Sequence, residues 1–407
     1  MDPIRNPYAP GAGQRPPELA GRDRELEQFE VTLERVAAGR PERSMVLSGL
    51  RGVGKTVLLN ALRGQAVRRA WGTGKIEARP DQSIRIPVAQ AVHAAVREVA
   101  HRHRDPDRVD AVAGVLKSFA LRTGVEDRKG MRWTPPVDVP ATKGRADSGD
   151  LELDLVELFT DVATLAGDLG VGIALFVDEM QDIAIPELAA LCGACHEISQ
   201  QNAPLLVVGA GLPHLPVALA ASKSYAERLF RYVSVDRLPR EMAERAWRVP
   251  AGTEDVDFED AALDELYRLT DGYPYFVQAY GKVTWDAAVG SPIRAADVRE
   301  AAPEAEAELA VGFFGARYDR ATPAERDYMT AMADLGAGPE NSPENGHGDG
   351  EVDGPISTAD VAKHLARKPQ SLSPARDGLI KKGLVYSAER GSVAFTVPHF
   401  GQFLRSR

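Results

Sequence analysis

The chain has 407 residues, with 49 Lys and Arg against 59 Asp and Glu (a formal charge of −10), 44% apolar residues and 27% charged ones. That is length enough for two or three globular domains, and the acidic balance excludes a protein that coats nucleic acid over its whole surface. With two cysteines and no apolar run near the roughly 18 residues of a membrane helix, a disulfide scaffold and a membrane partner are excluded; the cytoplasm is the expected setting.

Residues 1–19 are rich in Pro and Gly, lack the apolar stretch of a signal peptide, and are expected to form an extended arm. "GRDRELEQFEVTLERVAAG" follows with apolar residues at helical spacing. Next comes "SMVLSGLRGVGKT", an apolar strand running into a glycine-rich turn and then a helical stretch. Gly49, Leu50, Arg51, Gly52, Val53, Gly54, Lys55 and Thr56 form a complete G-x-x-x-x-G-K-[ST] in the strand–loop–helix setting it requires. The glycines let backbone N–H groups wrap a phosphate chain, and the following helix offers its N-terminus to the same anion. Lys55 adds a charge for the outer phosphates, and the Thr56 hydroxyl can ligate Mg²⁺. The stretch is a nucleotide site, with ATP and Mg²⁺ as the expected ligands.

Ser83 to Val88, "SIRIPV", reads as a second strand, and residues 89–122 read as largely helical. From Thr123 to Gly149 the chain is polar, with Pro135, Pro136 and several glycines, and a flexible insertion is expected. Leu151 to Leu169 returns to a helical pattern. "GIALFVDE" and "LLVVGAG" are continuous apolar runs between helices, the mark of a parallel sheet covered on both faces. The first of them ends in Asp178 and Glu179. Expected to lie next to the P-loop strand, it would let Asp178 hold Mg²⁺ through water while Glu179 polarises the attacking water. Cys192 and Cys195, as "CGAC", fall inside a helix without further ligands and read as small buried side chains.

Residues 238–315 read as wholly helical, and Leu335 to Pro355 as a solvated acidic loop. From Ile356 to Arg407 nine Lys and Arg face three Asp and Glu, so this segment carries +6 and the remainder −16. "PAERDYMTAMADL", "STADVAKHLA" and "SLSPARDGLIKKG" read as three helices, and "LVYSAERGSVAFTVP" as two strands. That is the winged-helix arrangement. Its third helix would present Gln370, Ser371, Ser373 and Arg376 to a major groove, with Lys381, Lys382 and Arg390 on phosphates. Many such domains contact protein instead, and the acidic loop sits between the first two helices.

With these motifs the chain resembles the AAA+ ATPases, most closely the initiator-like (origin-recognition and replication-loading) branch and the related signalling STAND ATPases. "GRDREL" looks like that branch's N-terminal box, "GLRGVGKT" the P-loop, "LFVDEMQD" the Walker B and "LLVVGAGLPHL" the sensor strand. "AERLFRYVSVDRLP" resembles the arginine-finger segment, with Arg228 the best-matched position and Arg231 second; "TDGYPYFVQAYG" looks like the G-x-P element, Gly272 and Pro274, by which STAND lids touch nucleotide. The sensor strand departs from the family in ending without Asn, Ser or Thr, His214 being the nearest polar side chain, and the lid's sensor arginine is absent. Both gaps imply a slow hydrolase that acts as a switch.

The expected fold class is α/β: a P-loop NTPase core with a parallel sheet over 20–237, a helical lid over 238–315, and a C-terminal winged helix over 320–407 with an acidic insertion at 336–355. The expected function is an ATP-binding and ATP-hydrolysing switch associated with double-stranded DNA, with an ATP-dependent homo-oligomer and an unidentified protein partner as further associations. The alternatives are a STAND-like signalling or scaffold ATPase whose winged helix binds protein, and an ATPase adaptor that loads a partner enzyme.

Overall fold

The computed structural model describes residues 1–103, 106–121, 135–136, 138–336, 354–388, 391–397 and 399–407. They divide into two compact units, one of residues 22–49 and 55–235, the other of residues 1–21, 50–54 and 236–407.

The first unit is built on five parallel strands: β1 (Ser44–Ser48), β2 (Gly72–Glu77), β3 (Ile173–Asp178), β4 (Leu205–Gly211) and β5 (Phe230–Ser234), in the order β2-β3-β4-β1-β5. β3 and β4 are buried at every position, as continuous apolar runs require when helices cover both faces of a parallel sheet. Those helices are α1 (Asp23–Ala37), α2 (Lys55–Arg68), α3 (Arg85–Arg102), α4 (Pro106–Leu121), α5 (Leu151–Asp168), α6 (Ile185–Gln200), α7 (Leu215–Ser222) and the single turn α8 (Ala226–Leu229). On α1 the buried Phe29, Leu33 and Val36 recur at helical spacing, and α5 starts where the Asp150 carboxylate accepts from the N–H groups of Glu152 and Leu153.

Two expectations change here. The P-loop strand and the Walker B strand are not neighbours, because β4 pairs with both and lies between them. The register Val177↔Gly209 and Ser48↔Gly211 still brings the carboxyl ends of all three strands to one edge. Nor do residues 83–88 form a strand. Glu187 accepts from the Ser83 hydroxyl and, at 3.0 Å, from the Ile84 N–H, which satisfies donors at the start of α3. Arg85 is buried there and pairs with the fully buried Asp154 at 2.8 Å. The second strand in chain order is "GTGKIE" instead. Cys192 and Cys195 are buried in α6, and burial pushes the Cys192 thiol up to about 11, so neither is poised for redox chemistry.

The second unit opens with the N-terminal segment, which is pinned in place. Tyr8 is buried and its hydroxyl donates to the Trp247 carbonyl at 2.7 Å, while the Trp285 indole N–H donates to the Asp2 carbonyl at 3.0 Å. Four helices follow: α9 (Arg240–Gly252), α10 (Asp260–Thr270), α11 (Pro274–Ala287) and α12 (Ala295–Glu308). α12 runs on through a π-helical stretch, Leu309–Gly315, into the short α13 (Ala316–Tyr318). The C-terminal part holds the three expected helices α14 (Pro323–Gly336), α15 (Thr358–His364) and α16 (Pro369–Lys381), and the expected strands β7 (Val385–Tyr386) and β8 (Ser392–Phe395). Two elements were not foreseen: β6 (Ile356–Ser357), which adds to β8 in the antiparallel order β6-β8-β7, and α17 (Phe400–Arg405). Phe276, Phe313, Phe314, Phe400 and Phe403 pack, partly edge-on and partly stacked, in one aromatic cluster with centroid separations of 5.2–6.1 Å, tying α11, the π-helical stretch and α17 together. Of the acidic loop, residues 337–353 lie outside the described residues, as do residues 123–134 and 137 of the expected insertion. No helix among the described residues is long and apolar enough to cross a membrane.

Candidate functional site

β1 ends at Ser48, and the chain turns through residues 49–54 before α2 begins at Lys55. The Gly49 N–H donates to the Gly211 carbonyl at 3.2 Å, anchoring the start of the loop to the end of β4. Gly52 and Gly54 have φ of 86° and 92°, a left-handed backbone that L side chains rarely adopt and that turns successive N–H groups toward one concavity. Lys55 is buried, and its Nζ folds back to donate to the Gly49 carbonyl at 2.9 Å.

β3 delivers the acidic pair. Asp178 is buried, accepts the Glu179 N–H at 3.0 Å and also accepts the Thr56 hydroxyl. Burial raises its pKa above the usual carboxylate value, and the Thr56 hydrogen bond pulls the other way. A buried carboxylate bonded to a threonine hydroxyl suits a hard divalent cation: the oxygens match, and a positive charge relieves the desolvation. Among the described residues, no group of three or more His, Cys, Asp or Glu could hold a metal. Mg²⁺ at Thr56 and Asp178 would therefore draw its other ligands from phosphate and water. Glu179 caps the 3₁₀ turn Met180–Asp182 with φ 50° and ψ 39°, and its carboxylate accepts from Gln181 Nε2 at 2.6 Å.

Loop residues 50–54 have neighbours of their own within the second unit. The Arg51 N–H donates to the Thr396 carbonyl at 3.0 Å. A Cβ on Gly52 would lie 2.9 Å from the Tyr273 ring, so Gly52 is also required by close approach. Tyr273 stands between Gly272 and Pro274 and is fully buried, and its hydroxyl has no hydrogen-bond partner among the described residues. Burial, with Arg51 and Arg320 nearby, pushes the Arg317 guanidinium down to about 10. The sequence motifs single out Gly272 and Pro274 but not the residue between them, and not Arg317. A tyrosine inside an apolar helix start reads as core, and Arg317 stands far from any motif.

The remaining candidates are more dispersed. Arg228 is exposed on α8, and Arg231 is half-buried on β5, opposite Met45 of β1. His214 caps α7, with a buried Nδ1 that has no partner among the described residues and a pKa lowered by burial. On α16, Gln370 and Ser371 are exposed and Ser373 and Arg376 are half-buried. Arg376 pairs with the adjacent Asp377 at 2.9 Å, and Lys382 pairs with the buried Glu325. Lys381 is exposed, and Arg390 lies outside the described residues.

A parallel sheet in this order, with a glycine-rich phosphate loop after β1 and an acidic pair after β3, defines a P-loop NTPase core. Residues 18–208 match the AAA ATPase domain, and residues 311–404 match a domain of unknown function, DUF8462. Residues 18–208 are thus an AAA+ ATPase domain, the family indicated by the motifs. Among solved structures, the Walker-type ATPase PABY2304 of Pyrococcus abyssi is 14% identical, with 96% of this chain and 97% of that chain covered at a TM-score of 0.57, a likeness of fold. RuvB, the Holliday junction branch migration motor of Thermotoga maritima, is 16% identical over 94% of this chain and 96% of its own at a TM-score of 0.42. ORC1 of Aeropyrum pernix, solved in complex with DNA, is 13% identical over 96% and 94% at 0.44. No curated protein sequence matches the chain.

Proposed function

We propose that the chain is an ATP-binding, slowly ATP-hydrolysing switch of the initiator-like AAA+ branch, acting in the cytoplasm. The observation that carries this reading is the convergence of Lys55 on Gly49, Thr56 on Asp178, and Glu179 at the adjoining strand end. ATP lies along the P-loop amides with Lys55 on its outer phosphates. Thr56 and Asp178 would hold Mg²⁺, which when bound would supply charge neutralisation at the phosphates, and Glu179 accepts the proton of the attacking water. The slow rate follows from β4, whose last residue is Gly211 and offers no sensor side chain. Gly272 and Pro274 place Tyr273 against Gly52 of the loop.

Arg228 is assigned as the arginine finger, supplied to a neighbouring copy; its exposure on a short turn is what a group acting in trans needs. Phosphate release per mole of protein should then rise with protein concentration, and Arg228→Ala should lower the rate by about 10³-fold. A concentration-independent specific activity with Arg228→Ala unaffected would return the role to Arg231 or to no arginine.

The C-terminal module, read as a winged helix on its three helices and antiparallel sheet, is assigned to duplex DNA on its +6 charge. If Arg376, Lys381, Lys382 and Arg390 each neutralise a phosphate, log K for a short duplex falls against log salt with a slope of about −3 to −4. Lys381→Ala should flatten that slope by about one while leaving sequence preference alone, whereas Gln370→Ala or Ser371→Ala should relax preference. Lys382 is a poor probe, because its removal leaves Glu325 buried and unpaired. The second reading, a protein-binding module, is favoured by the same ion pairs, since Glu325 and Asp377 already occupy two of the cations. Absence of duplex binding by the full chain at low salt would select it.

A further inference from the structure

The sensor strand β4 ends without the polar side chain its position calls for, yet Glu179 is not left without a link to that strand. We propose that Gln181 is the positioning residue for Glu179, tethering it from the turn that follows β3. The inference rests on the hydrolytic reading of Glu179.

Gln181 lies in the middle of the 3₁₀ turn Met180–Asp182 and is half-buried. Its Nε2 donates to Glu179 Oε2 at 2.6 Å and to Asp182 Oδ1 at 3.3 Å, while its Oε1 accepts the Leu212 N–H at 3.0 Å. The orientation of the amide is forced by its neighbours. Only its oxygen can accept from a backbone N–H, and only its NH₂ can donate to carboxylates. Leu212 is the first residue beyond β4, so one side chain joins the water-activating carboxylate to the end of that strand. A carboxylate on three rotatable bonds needs such a tether to stand in one place, since a misplacement of about 1 Å can cost about 100-fold in rate.

The end of β4 is shaped to admit this amide. A Cβ on Gly211 would lie 2.7 Å from Gln181 Oε1 and 2.6 Å from Leu215 Cδ2. The missing side chain on β4 and the amide on the turn are therefore two parts of one arrangement, in which a polar group at 211 would displace Gln181.

The test uses the full-length chain with Mg-ATP. Gln181→Leu keeps the volume and removes both hydrogen-bonding ends; kcat should fall about 10- to 100-fold. Binding of a fluorescent ATP analogue and the melting temperature should stay near those of the parent. Gln181→Glu, which can still accept from Leu212 but sets a carboxylate against Glu179, should show the same loss and serves if the leucine variant folds poorly. Gly211→Ala should lower kcat in the same direction by crowding the amide, and Gly211→Ala combined with Gln181→Leu should be no slower than Gln181→Leu alone, because both act through one tether. An unchanged kcat in the Gln181 variants, beside an inactive Glu179→Gln, overturns the proposal and leaves the hydrolytic reading standing. Parallel loss of kcat and ATP affinity also overturns it, assigning Gln181 a merely structural role. A parent chain that releases no phosphate overturns the reading on which the proposal rests.

Discussion

Lys55→Ala abolishes measurable ATP binding while the chain remains folded. The lysine has two duties that alanine cannot share. Its ammonium is the cation that the motif sets against the outer phosphates, and a charge-assisted hydrogen bond of this kind contributes about 1.5–3 kcal/mol. It also donates to the Gly49 carbonyl at 2.9 Å, so removing it leaves that carbonyl short of a donor at the start of the phosphate loop. Without two or more of its hydrogen bonds to protein, the triphosphate binds about 10³-fold more weakly, which takes a micromolar affinity into the millimolar range. Lys55 is buried, so a modest loss of stability accompanies the change and is read separately by thermal melting. Titration with a fluorescent ATP analogue decides the matter. Binding as tight as the parent's, in a folded protein, would sink the assignment of the loop.

The parts of this site that were legible in the sequence are those whose chemistry demands fixed offsets. A phosphate nest needs glycines where the backbone is left-handed, and Gly52 and Gly54 stand there. β3 and β4 were legible because strands buried on both faces must be apolar throughout. β2 was not, because "GTGKIE" carries two glycines and a lysine, and the alternating "SIRIPV" nearby competed for the role. What turned that segment into the start of α3 was Glu187, more than a hundred residues away in the chain. The order of strands was hidden for the same reason: β4 enters between β3 and β1 through pairings between segments far apart in sequence. Gln181 was equally hidden. A glutamine two residues past the Walker B glutamate names no partner until Leu212 arrives at 3.0 Å. Tyr273 read as apolar filling and proved to be the side chain that meets Gly52.

Glu179→Gln keeps ATP affinity within about threefold and lowers phosphate release by about 10²- to 10⁴-fold, the worth of a positioned general base. The structure makes this substitution unusually clean. The glutamine oxygen can still accept from Gln181 Nε2, which now meets Glu179 Oε2 at 2.6 Å, so the side chain remains tethered. The left-handed backbone at φ 50° is no harder for glutamine than for glutamate, so the strain at the turn is unchanged. Asp178 keeps its bonds to Thr56 and to the N–H of residue 179, so the oxygens offered to Mg²⁺ are the same. Only basicity is lost, because an amide oxygen cannot take the proton of the attacking water. The variant should therefore hold ATP without consuming it, and single-turnover phosphate release beside equilibrium binding separates the two properties. Phosphate released at the parent's rate would move the general base to another group, with Asp178 the nearest carboxylate; loss of ATP binding together with turnover would instead make Glu179 part of the nucleotide cradle.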